Sequence, residues 1–101
     1  MPFYIYIIYS ASIDRYYVGY SSNFWVRLDQ HNSNSSDKYT GRSKDWKLRS
    51  VFELKTESTA IKIERFIKRQ KSRKLLERMC LETFKGEEIL SELVRVPHVR
   101  D

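Results

Sequence analysis

The sequence predicts a small α/β domain of the α+β type: a three-stranded antiparallel sheet flanked by helices, in the order β-β-α-β-α-α. Three observations predict it. Residues 3–9 and 15–20 are rich in aromatic and β-branched side chains and are separated by the turn residues "SASID", a hairpin pattern. A further run, "WKLRSVFEL", supplies a third strand, and residues 58–84 carry apolar side chains at helical spacing. A chain of 101 residues accommodates one core and not two.

In the hairpin, a loop over Ser10 to Ile13 sets Tyr9 against Asp14, and the same register sets Tyr6 opposite Tyr17 on one face. "SSNFWVRLDQHN" follows as a helix with Ser21 or Ser22 as N-cap; Phe24 and Leu28 are four apart on its apolar stripe, with Arg27 and His31 four apart on the flank. Residues 33–45, "SNSSDKYTGRSKD", read as a polar loop in which Tyr39 is the one large side chain. Trp46, Leu48, Val51 and Phe52 alternate imperfectly, as a strand with a bulge does. Ser58 and Ser72 cap helices through Gln70 and Phe84. In the first of these, Ala60, Ile63, Phe66 and Ile67 form an apolar arc opposite Lys62, Arg65 and Arg69. Glu64 breaks the arc: it falls between Ala60 and Ile61 on the wheel, where a carboxylate needs a cation, a donor or a metal. "GEEILSEL" adds a short terminal helix and "VRVPHVRD" a tail, so residues 1–85 read as the working domain and 86–101 as an appendage.

Charge narrows the class. The net charge is +6, and it is local: Lys38 to Arg78 holds fourteen Lys/Arg against five acids, the remainder five against eight. A positive stripe of this kind is the usual footprint of a partner with a phosphate backbone, solubility being the alternative use of such charge. The single cysteine, Cys80, makes neither an internal disulfide nor a zinc cluster and suits a reducing compartment. The apolar opening lacks the basic start of a signal peptide, and no apolar run approaches a membrane span, so a cytoplasmic protein without membrane contact is expected. Neither glycine-rich nucleotide fingerprint is present.

Tyr6, Tyr17, Arg27, His31 and Glu64 form the unusual set. Singly each has a plain explanation: tyrosines that pack, a histidine that caps or packs, an Arg–Glu ion pair. Together they outline a phosphodiesterase site, with an oxyanion stabiliser, one carboxylate able to hold a metal, and phenols or an imidazole able to handle a proton. A Mg²⁺ held by one carboxylate keeps most of its octahedral shell for water and phosphate.

At these residues the chain resembles the GIY-YIG nuclease superfamily, and in particular its short single-domain members. The motifs are "YIY" (Tyr4, Ile5, Tyr6), "YVG" (Tyr17, Val18, Gly19), "RLDQHN", "KYT" and "AIKIERFIK", in order over residues 3–75. The resemblance implies a three-stranded antiparallel sheet, one divalent metal (Mg²⁺ or Mn²⁺), and endonuclease action on DNA more than RNA, on structured or damaged DNA and in DNA repair, by a monomer or weak dimer. By position it implies Glu64 as metal ligand, Arg27 on the scissile phosphate and Tyr17 as a candidate to activate water. Tyr6 would orient that water or substitute as base, and His31 would handle a proton or contact phosphate. Asn32, Tyr39, Thr40 and Lys68 match secondary, nucleic-acid-binding positions, and Gly19 matches a glycine over which backbone and substrate approach. Tyr4 departs from the name-giving glycine, and Trp25 and Val26 stand where relatives carry charge. The alternative is a non-catalytic nucleic-acid-binding module with a vestigial or partner-dependent site, since phosphate contacts alone give salt-sensitive binding.

Overall fold

The computed structural model describes residues 2–33 and 40–97; Tyr39 and the end of the expected tail lie outside the described residues. Strand β1 (Phe3–Ser10) pairs antiparallel with β2 (Arg15–Ser21) and with β3 (Trp46–Leu54). Helix α1 (Phe24–Ser33) joins the second strand to the third, and α2 (Glu57–Gln70) and α3 (Arg73–Met79) follow. The sheet has four strands and not three: Val94–Arg95, placed by the sequence reading in a tail, form β4 on the outer side of β3, giving the order β2-β1-β3-β4. Two residues, with Pro97 only two places further on, are too short to carry a strand pattern; pairing of Phe52 with Arg95 and of Glu53 with Val94 creates the strand.

The hairpin register is two residues away from the expected one. Tyr9 pairs with Tyr16, Tyr6 with Gly19 and Ile8 with Tyr17. An even slip leaves every side chain on its face, so Tyr6 and Tyr17 still share one. Asp14 takes a left-handed backbone (φ 52°), tolerated by a short polar side chain, and Tyr9 still reaches it, donating its hydroxyl to Oδ1 at 2.6 Å. The bulge in β3 is at Arg49, where the register passes from Ile7 opposite Ser50 to Ile8 opposite Leu48.

Both sheet faces are covered. Ile5, Ile7, Val18 and Phe52 pack under Ala60, Ile63 and Ile67 of α2; Tyr6, Ile8, Leu48 and Val51 pack under Leu28 and Phe24 of α1. The apolar side chains of β1 therefore point both ways, and Ile5 to Ile8 are all buried. That makes β1 a central strand.

Caps set the helix boundaries. The side chain of Asn23, not of Ser21 or Ser22, accepts from Val26 N and starts α1. Thr56 starts α2, two residues ahead of the expected Ser58, by accepting from Thr59 N. Ser72 starts α3 as expected, but α3 stops at Met79 and not near Phe84. The Met79 carbonyl accepts from Ser50 Oγ at 3.0 Å and Arg95 Nη2 at 2.7 Å, and Phe84 turns to meet Phe52 edge-on. "GEEILSEL" becomes a 3₁₀ turn over Glu88–Glu92 whose Leu90 enters the core. Among the described residues no helix is long and apolar enough to cross a membrane.

Asp45 ties the start of β3 to the end of β1, its carboxylate accepting from the hydroxyls of Ser10, Ser12 and Ser43 and from the amide of Ser12. Those donors, Ser10 first, hold its carboxyl far below the ordinary range. This tie stabilises the fold above the normal carboxylate pKa and is lost as pH falls below it.

Candidate active site

Tyr6 is the centre of the site and is 1% exposed. It fits because Gly19 stands opposite it: a Cβ on Gly19 would lie 2.5 Å from the Tyr6 hydroxyl and 2.7 Å from its Cζ. The glycine therefore makes room for a phenol of this protein, where the sequence reading had it admit backbone and substrate. Tyr6 Oη lies 2.9 Å from His31 Nε2, and His31 Nδ1 lies 2.8 Å from Thr40 Oγ1. The carbonyl of Thr40 accepts from the Trp46 indole at 2.8 Å. A neutral imidazole donates from one nitrogen and accepts at the other. Tyr6 and Thr40 thus play opposite roles, and moving the ring proton inverts both.

Burial raises the Tyr6 phenol to about 12, against the pull of the Arg27 guanidinium; Tyr17 and Glu64 add smaller upward pushes. The Tyr6 phenol on β1 is thus within electrostatic reach of side chains on β2, α1 and α2. A phenol this hard to ionise keeps its proton at neutral pH and is poorly matched to the task of a base there. The unfolded phenol ionises near 10 while Tyr6 holds its proton, so folding loses about 2 kcal/mol from this group as pH rises from 10 through 12. Tyr6→Phe is expected to flatten that part of the alkaline limb, measured as the change in urea midpoint between pH 9 and 11.

Tyr17 stands beside the relay, its ring edge-on to His31 at 5.2 Å. Its other neighbour comes from α2, with Lys68 Nζ 5.0 Å from the ring centroid. Glu64, one turn earlier, has 15% of its side chain exposed and pairs with Lys68 at 3.4 Å. Lys68, placed in the sequence reading among nucleic-acid contacts, is thus the cation that the misplaced acid needs. Arg27 is half-buried on α1 and donates to Gln30 at 2.5 Å.

The structure places Asn32 and Thr40, expected as nucleic-acid contacts, with their polar groups turned inward. Thr40 is fully buried. Asn32 accepts from Trp46 N at 2.7 Å and donates to Trp46 O at 3.0 Å, filling both backbone positions as a neighbouring strand would. Fourteen residues separate the two, and no spacing rule links them. Asn32→Ala leaves two backbone groups of Trp46 without these partners and is expected to cost about 1–3 kcal/mol, read as a lower denaturant midpoint.

The donor set can be weighed against a metal. Among the described residues no three His, Cys, Asp or Glu side chains cluster. A lone carboxylate does not suit zinc, which takes three or four protein ligands. It does suit a hard cation that fills its shell with water and phosphate oxygens, as Mg²⁺ or Mn²⁺ does. Lys68, which now neutralises Glu64, has 43% of its side chain exposed.

A sequence model of the GIY-YIG catalytic domain matches residues 2–77, which spans every group described above. No curated protein and no solved structure gives a match. The hairpin that seats Tyr6 over Gly19, the helix carrying Arg27 and the helix carrying Glu64 all lie inside that match, and the chain belongs to the GIY-YIG family, a family of nucleases.

Proposed function

We propose that the protein is a metal-dependent endonuclease that hydrolyses phosphodiester bonds in DNA, structured or damaged DNA in particular, in a cytoplasmic repair or processing role. The observation that carries this reading is the meeting of Tyr6, Tyr17, Arg27, His31 and Glu64 from four separate elements. Glu64 would hold the one divalent cation, which when bound supplies Lewis acidity to the phosphate and a more acidic water. Arg27 binds the scissile phosphate and neutralises charge on its non-bridging oxygens. Tyr17 aligns and activates the attacking water. Tyr6, which keeps its proton, holds that water in line by hydrogen bonding. His31 fixes the Tyr6 hydroxyl, with Thr40 fixing His31 in turn and Asn32 holding the start of β3 under both. Tyr39 remains a proposed strand contact, and Lys68 a phosphate contact once released from Glu64.

The 3.4 Å Lys68–Glu64 pair favours a second reading, a nucleic-acid-binding module whose acid is already neutralised. A cleavage screen over flap, nicked, fork and single-stranded DNA in Mg²⁺ and Mn²⁺, with Glu64→Ala as control, separates the two. Cleavage that needs Glu64 supports the nuclease. Tight, salt-steep binding without any cleavage favours the module, and cleavage that survives Glu64→Ala removes the mechanism.

A further inference from the structure

Beside the candidate active site, along the outer side of edge strand β2, lies a groove of about 530 Å³ between that strand and the junction of α2 with α3. Tyr17 and Lys68 belong to both the groove and the site. Its floor is apolar, from Val18, Ile67 and Leu76, and its rim is cationic, from Arg15, Lys68, Lys71 and Arg73. The rim charges are not equivalent. Lys68 is paired with Glu64, and Arg73 with Asp14 at 2.7 Å and Glu77 at 3.1 Å. Arg15 and Lys71 form no ion pair among the described residues, and both are exposed. Lys71 sits in a left-handed backbone (φ 48°) at the end of α2, which fixes where its side chain leaves the chain.

An apolar floor under two uncommitted cations suits a ligand with a flat apolar face and anionic ends. A nucleotide with its base unstacked has that form, and the volume falls in the range of about 300–1,000 Å³ usual for small-ligand pockets. A duplex keeps its bases stacked inside and offers the floor nothing. Resting on the nuclease reading, we propose that the groove holds one unpaired nucleotide of the strand being cut, its base against Ile67 and Leu76 and its flanking phosphates at Arg15 and Lys71. The centre would thereby select DNA that is single-stranded next to the scissile bond.

The test is binding, followed by fluorescence anisotropy with Glu64→Ala protein so that no probe is consumed. The probes are a labelled ten-residue oligothymidylate, an abasic strand of equal length, and a hairpin duplex. The variant is Arg15→Gln with Lys71→Asn, asparagine being at ease in the left-handed conformation, and its thermal melt is taken alongside. The oligothymidylate is expected to bind about fivefold tighter than the abasic strand, because its base leaves water for the apolar surface of Ile67 and Leu76. The double variant is expected to lose about tenfold for the oligothymidylate and to flatten its salt slope by about 1.4, two phosphates at about 0.7 each. Equal binding of abasic strand and oligothymidylate overturns the base site. A double variant that binds as its parent at every salt concentration, and melts lower or aggregates, also overturns it: the rim then only guards the open strand. Plasmid nicking by Glu64-intact protein tells the two readings apart. Base-dependent binding without nicking keeps the groove and ends the nuclease, whereas nicking without base-dependent binding does the reverse.

Discussion

Arg27→Ala is expected to lower cleavage by about a hundred- to a thousandfold, the effect of removing one donor aimed at transition-state charge. Arg27 is half-buried on α1, and its guanidinium lies near enough to Tyr6 to pull the phenol's pKa down against the effect of burial. It is therefore held over the centre of the site and not spread in solvent. Lysine carries the charge without the planar fork, so Arg27→Lys should recover only part of the loss. The melting temperature should move little in both variants, since the guanidinium's hydrogen-bond partner is the neighbouring Gln30 on the same helix turn. Single-turnover rates at saturating enzyme check the prediction. A rate within threefold of the parent would show that the phosphate is held elsewhere.

Gly19→Ala is expected to be a strongly damaging single-methyl change at the candidate site. The added carbon would sit 2.5 Å from the Tyr6 hydroxyl, 2.7 Å from Cζ and 3.1 Å from Cε1. The ring cannot retreat, because it is 1% exposed and His31 lies beyond its hydroxyl. Overpacking of this kind costs about 1–3 kcal/mol, and relief by shifting the ring breaks the contact with His31. Gly19 has no positive φ, so the cost is one of space and not of backbone conformation. Adding Tyr6→Phe removes the shortest of the three contacts, and the double variant should be more stable than the sum of the single losses. Urea midpoints of the four proteins close the cycle; strict additivity would mean that the two positions do not meet.

The strand order, both helix faces and the odd position of Glu64 were legible in the sequence because each follows from a period that one side chain cannot hide. The hairpin faces survived a wrong register for the same reason, since Tyr6 moved from Tyr17 to Gly19 by an even step. The register itself was not legible: "SASID" fits loops of more than one length, and Asp14 decides between them by accepting a left-handed backbone. Lys68 could have been read as the partner of Glu64 from their spacing of four. The relay through His31 to Thr40, the grip of Asn32 on Trp46 and the two-residue β4 join residues far apart in the chain through single hydrogen bonds. Local patterns carry no trace of such pairings. The candidate residues could therefore be named from the sequence, but the hydrogen bonds and packing that join them to one another could not.

On the flank of β3 away from β1, Asn32 fills the backbone positions at Trp46, and β4 with Val96 takes those from Val51 to Glu53. What the sheet leaves for a long ladder with another molecule is the free margin of β2. Among the described residues the other edge is the two-residue β4, against seven residues in β2, so a strand added to this sheet finds its template at β2.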